Sequence, residues 1–115
     1  MAQSEDLDLL RGTLDLLILR TLSWGPMHGL AVLRWIEEMS QQKLQIEEGA
    51  LYPALHRMEQ KKWLDSEWGY TDQNRKAKFY RLSALGRRQL TAEISKWSRY
   101  TEAVGLVLGG RHATA

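Results

Sequence analysis

Apolar residues recur along this chain with two periods, and the point where one gives way to the other divides it. Leu14, Leu17, Ile18, Thr21 and Leu22 fall at i, i+3, i+4, i+7 and i+8, the stripe of a helix that packs one face on a core. The pattern predicts a first helix from about Arg11 or Thr13 to Ser23. Thr13 is its expected N-cap, and Asp15 stands in the first turn, where the helix dipole favours an acid. Trp24-Gly25-Pro26 stops it. A second helix is expected from Met27 to Ser40, with Gly29, Val32, Leu33 and Ile36 inward and Arg34, Glu37 and Glu38 in water. The polar connection from Gln41 to Glu48 carries Leu44 and Ile46 at alternate positions, room for a very short strand.

Leu51, Leu55 and Met58 then return to the helical period at i, i+4 and i+7. Pro53 lacks an N–H and crowds the turn before it, so this third helix begins only a few residues earlier and ends near Lys61-Lys62. Tyr52 and His56 fall off the apolar stripe. A short helix that leaves an aromatic and polar groups exposed is suited to insertion into another molecule.

From Trp63 the period falls to two. Trp63 to Trp68 and Ala77 to Leu82 flank a polar loop, Gly69 to Lys76, and read as a hairpin with Leu64, Tyr80 and Leu82 on its inner face. Two strands alone are marginal, so the hairpin must lean on the helices. Ser83 is the N-cap of a last helix expected from Ala84 to about Leu108, stopped by Gly109-Gly110. Leu90, Ile94, Trp97, Thr101, Val104 and Leu108 alternate in steps of four and three, a heptad-like seam with one polar position. A small domain has nothing left to cover so long a seam, which argues for a second copy of the chain.

Composition narrows the class. At 115 residues with 43% hydrophobic positions, the chain supports one small folded domain with an appended element. Without cysteine there is no disulfide, no thiolate metal site and no cysteine nucleophile. His28, His56 and His112 are scattered, and no carboxylates pair on a shared face, so no catalytic or metal constellation forms. His28, near a helix start, reads as a structural hydrogen-bonder. No apolar run is long enough to span a membrane, and the acidic lead-in has the wrong character for a signal peptide, so a soluble cytoplasmic protein is the default. Net charge is only +2, yet Arg75, Lys76, Lys78, Arg81, Arg87 and Arg88 lie within fourteen residues that contain no acid. A basic patch on a nearly neutral domain points to a polyanion met by one face.

Three helices followed by a basic-tipped hairpin is the order of a winged helix-turn-helix, in which the third helix enters the major groove and the wing lies against the backbone. The fold class is therefore mainly α with a small β-hairpin. Residues 1–82 are expected to form the DNA-binding domain, with 1–9 a flexible lead-in, residues 83–110 the dimerisation helix, and 111–115 a disordered tail. The candidate DNA-binding residues are Gly49 and Ala50 through the amides of the helix start, Tyr52 through its hydroxyl, His56 toward base edges, and Arg75, Lys76 and Lys78 on phosphates. The candidate interface is Leu90, Ile94, Trp97, Thr101, Val104 and Leu108. No cofactor or metal is expected; the partners are double-stranded DNA and a second copy.

Four blocks carry a resemblance to a known family. Leu10 to Leu19 looks like the opening of the PadR family of bacterial transcriptional regulators, and Met27-His28-Gly29-Leu30 resembles that family's second-helix start. Gly49 to Glu59 is similar to its recognition-helix signature, and Phe79 to Gly86 to its second wing strand and the turn into the last helix. The resemblance implies a homodimeric repressor on a palindromic operator, dimerised through the C-terminal helix and released by ligand in many members. By matching position, Tyr52 and its helix start would touch phosphates, and Arg75, Lys76 and Lys78 the backbone. The chain departs from the pattern where Gln73-Asn74 replaces the glycine that often precedes the wing arginine, and where Ala50 replaces a hydroxyl residue. Its single C-terminal helix resembles the short subgroup.

Trp97 has two readings: a dimer anchor, or one wall of a pocket between subunits for a small hydrophobic or aromatic effector. Arg57 has two as well, an internal ion pair or a DNA contact. The alternative to a DNA-binding regulator is a winged-helix module that binds protein instead. An enzyme is not expected.

Overall fold

The computed structural model describes residues 13–110. Residues 13–22 are helical (α1), so Thr13 lies inside the helix rather than capping it. The start of α1, the lead-in and the tail lie outside the described residues. Leu14, Ile18, Leu19 and Leu22 are buried along one side of α1, and the buried Thr21 hydroxyl donates to the Leu17 carbonyl at 2.7 Å.

The chain next departs from the helical expectation. Met27–His28 is a short strand, β1, and α2 spans Gly29–Met39. His28 caps α2, its Nδ1 accepting from the Ala31 amide at 3.3 Å, and its ring meets Phe79 edge-on at 5.5 Å. A residue whose side chain caps a helix keeps its own backbone extended, and that leaves His28 and Met27 free to pair with the hairpin. The segment 41–47 forms no strand. Gln41 instead closes α2 in the left-handed conformation, with the Gln41 and Gln42 amides reaching back to the Glu38 and Glu37 carbonyls.

Helix α3 spans Glu48–Gln60, with Leu51, Ala54, Leu55 and Met58 buried. It ends as α2 does. Lys62 is left-handed (φ 68°), and the Lys62 and Trp63 amides bond the Glu59 and Met58 carbonyls. The hairpin pairs β2 (Leu64–Tyr70) with β3 (Lys76–Leu82), and β1 joins the far edge of β3 through Met27↔Tyr80 and His28↔Phe79. The sheet order is therefore β1-β3-β2, three strands where the sequence pattern shows two. Leu64, Tyr80 and Leu82 are buried as expected. The tip is shorter than expected. Thr71 closes it with a bond from its amide to the Arg75 carbonyl, and its own carbonyl accepts from Asn74. Asn74 takes the left-handed position (φ 63°) that this type of turn requires. Asparagine tolerates that conformation better than most side chains, which is how the tip closes without the family's glycine.

Helix α4 runs Ala84–Gly105 and widens over Leu106–Gly110, with Gly109 left-handed (φ 105°). The Ser83 hydroxyl caps its first turn, accepting from the Gly86 amide at 3.0 Å while facing the Lys62 and Trp63 carbonyls. Gly86 is required there, because a Cβ would stand 2.1 Å from the Trp63 carbonyl oxygen. Leu90 is the last α4 residue inside the core. Beyond it the helix stands clear, stretching the molecule to 59 × 33 × 21 Å.

Gly86→Ala should destabilise the chain by about 1–3 kcal/mol, since the clash is with backbone. Lys62→Gly should stabilise it by about 0.5–1 kcal/mol by relieving a left-handed side chain. Thermal unfolding followed by circular dichroism checks both, and equal midpoints would contradict the assigned junction and cap.

Candidate nucleic-acid interface

Helices α2 and α3 meet closely because Gly29 has no side chain. A Cβ there would lie 2.6 Å from Cε1 of Tyr52 and 3.0 Å from its hydroxyl oxygen. The Tyr52 ring lies against this bare backbone, half-exposed. Burial of the ring, with the Glu48 carboxylate nearby, pushes the phenol above its ordinary value, so it stays protonated and able to donate.

The start of α3 offers amides to solvent. Glu48 and Gly49 lie in the first turn, where a helix has no carbonyl for them, and nothing lies within 4 Å of where a Gly49 side chain would begin. Ala50 is occupied, its amide donating to the Glu47 carbonyl at 2.9 Å. Two carboxylates, Glu47 and Glu48, flank the same turn. Pro53 lies within α3 and, having no N–H, leaves the Gly49 carbonyl without its helical donor. His56 is exposed one turn further on. Arg57 pairs with Asp15 at 2.6 Å, tying α3 to α1. Its internal reading is the observed one.

The far end of α3 is joined to the hairpin by a polar cluster absent from the sequence reading. Glu59 accepts from the Ser66 hydroxyl at 2.5 Å and from the Lys78 ammonium at 3.1 Å. The hydrogen bond from Ser66, then those of Lys78, with a smaller contribution from His56, hold the Glu59 carboxyl below its ordinary value despite partial burial. Lys78 also lies 5.7 Å from the centre of the Tyr80 ring. Tyr80 is pushed up by burial, with Lys78 opposing and Glu59 and Tyr52 adding. Lys78 thus sits at the base of the wing against α3, while Arg75 and Lys76 stand exposed at the tip. Only the strand register separates these positions, and the register follows from the Thr71–Arg75 turn.

The seam on α4 divides. Leu90 is covered by its own domain, whereas Ile94 and Trp97 are about 40% exposed and Leu108 is 78% exposed. Thr101 is exposed, its hydroxyl turned back to the Trp97 carbonyl at 3.0 Å. Val104 is half-covered. The Trp97 and Tyr100 rings lie 6.0 Å apart, tilted by 36°. Among the described residues no group of three or more His, Cys, Asp or Glu is placed to hold a metal ion. No described helix is long and apolar enough to cross a membrane.

A helix-turn-helix whose third helix keeps an exposed polar face, followed by a wing with a basic tip, defines a winged-helix protein. Residues 18–92 match the transcriptional regulator PadR-like family. A PadR family transcriptional regulator of known structure from Eggerthella lenta is 32% identical, with 93% of this chain and 91% of that one covered and a TM-score of 0.77. A transcriptional regulator from Clostridium thermocellum shares the fold at 23% identity, covering 85% and 95% of the two chains with a TM-score of 0.78. A protein from Lysinibacillus sphaericus is 29% identical over 103 residues, 90% of this chain and 94% of the other. The chain belongs to the PadR-like family, a family of transcription regulators and not of enzymes.

Glu59→Gln should weaken the link between α3 and the wing by about 1 kcal/mol at neutral pH, a modest value because both partners are partly exposed. The folded-state value of Glu59 is depressed, so its contribution is full above the unfolded value and is lost as pH falls through the acidic range below about pH 5. Urea unfolding of both chains at pH 7 and pH 3 tests this. A stability difference that does not shrink at pH 3 would count against the charged link.

Proposed function

We propose that this chain is a homodimeric repressor that binds a palindromic operator. In this reading residues 1–82 hold the duplex and residues 83–110 pair with the same helix of a second copy. The observation that carries it is the bare seam of α4. Ile94, Trp97 and Leu108 are exposed on a helix that continues well past Leu90, the last residue the domain covers, and a partner helix gives those side chains a core.

Tyr52, the open amides at Glu48 and Gly49, and His56 face the major groove. Ala50 contributes shape rather than a hydrogen bond, because its amide is taken. The carboxylates of Glu47 and Glu48 work against a phosphate at this turn, so affinity leans on Arg75 and Lys76 at the wing tip. Lys78 adds less, since approaching DNA must draw it from Glu59. Trp97 and Tyr100, with their partner-subunit equivalents, frame a flat apolar space suited to a small aromatic effector. An effector there releases DNA by changing how the two copies are set.

Two measurements test the reading. Trp97→Asp with Val104→Asp should convert dimers to monomers by light scattering, and a persisting dimer would place the interface elsewhere. Arg75→Ala with Lys76→Ala should weaken binding to every duplex and make log affinity against log salt shallower by about two. An unchanged slope would remove the wing tip from the phosphates, and failure of the unaltered chain to select any duplex from a random pool would remove DNA altogether.

A further inference from the structure

The alternation along the hairpin sorts its side chains by kind. On one face of β2, Leu64 is buried, Ser66 bonds Glu59 of α3, and Trp68 and Tyr70 follow outward. Their cross-strand partners are Lys78 opposite Trp68 and Lys76 opposite Tyr70. The Lys76 ammonium lies 5.3 Å from the centre of the Trp68 ring, so a cation of β3 covers an exposed ring of β2. The carboxylates of this strand, Asp65 and Glu67, occupy the alternate positions and so take the other face, where Glu67 pairs with Arg81 at 3.2 Å.

Trp68 is 64% exposed and Tyr70 67%, so neither ring serves the core. Exposing two large aromatics side by side forgoes the gain of burying them. The strip continues outward from the side of the sheet that Glu59 ties to α3. It also combines groups that suit the backbone of a duplex, a cation for phosphates and flat apolar rings for the sugar surface.

The geometry points to Trp68 and Tyr70 as a second DNA-contacting surface, which packs its rings on the sugar walls of a groove while Lys76 holds the adjoining phosphate. This rests on the DNA-binding reading above and adds to it a contact that is apolar rather than ionic. An ionic contact releases counterions and so sets the salt slope; an apolar contact shifts affinity equally at every salt concentration. The wing should therefore show two separable contributions.

The test uses the full chain and the duplex that it selects from a random pool, titrated over a range of salt. Trp68→Ala with Tyr70→Ala should lose at least tenfold in affinity at each salt concentration, giving a line parallel to that of the unaltered chain. Trp68→Phe with Tyr70→Phe should restore most of the loss. Lys76→Ala alone should make the slope shallower by about 0.9. Thermal midpoints identify any variant that has lost its fold, and the phenylalanine pair keeps the test open if the alanine pair does. Binding by the alanine pair equal to that of the unaltered chain overturns the inference while leaving the DNA-binding reading intact, as it would if the strip received an acidic protein. A change of slope without a parallel displacement overturns it too. If the unaltered chain selects no duplex, both readings fall together.

Discussion

The contact between the first turn of α4 and the turn that links α3 to β2 sets the geometry of the whole molecule. Ser83 directs its hydroxyl at the Lys62 and Trp63 carbonyls while capping α4, and Gly86 lets the Trp63 carbonyl come closer than any side chain would allow. Three elements meet at that point. Helix α3 ends there through Lys62, β2 starts there, and α4 leaves there for the uncovered half of its length. The angle between the winged helix and the projecting helix is therefore set by backbone against backbone, which has little freedom to adjust.

A second constraint is how the chain uses its cations. Arg57 is held by Asp15, Lys78 by Glu59 and Arg81 by Glu67, while Arg20 and Lys61 lie over Trp24 and Trp63. A count of basic residues in the second half of the sequence overstates the positive charge offered to a partner. Several of those charges tie helix to helix or strand to strand.

Much of the architecture was legible because it rests on local patterns. The apolar spacing in α3, the Ser83 cap, the late Gly109 and the inner face at Leu64, Tyr80 and Leu82 all follow from rules that act over a few residues. What escaped was set by partners distant in sequence. Met27 and His28 look helical in a window that cannot see Phe79 and Tyr80, yet pairing with those residues makes them a strand. Glu59, at the end of an amphipathic helix, gives no sign that Ser66 and Lys78 will converge on it. Trp68 and Tyr70 became neighbours of the lysines only once the tip closed at Thr71 and Arg75. The left-handed Asn74 that closes it is a residue for which a glycine rule looks in vain.

The seating of Tyr52 on Gly29 has a consequence for control. Its ring lies against bare backbone, and its environment makes the phenol a weaker acid than usual, so across the working range of a cell this hydroxyl stays protonated. An approaching anion always meets a proton and never a phenolate. A switch acting through this hydroxyl is therefore mechanical, moving the ring or the helix that carries it, because its own protonation does not change.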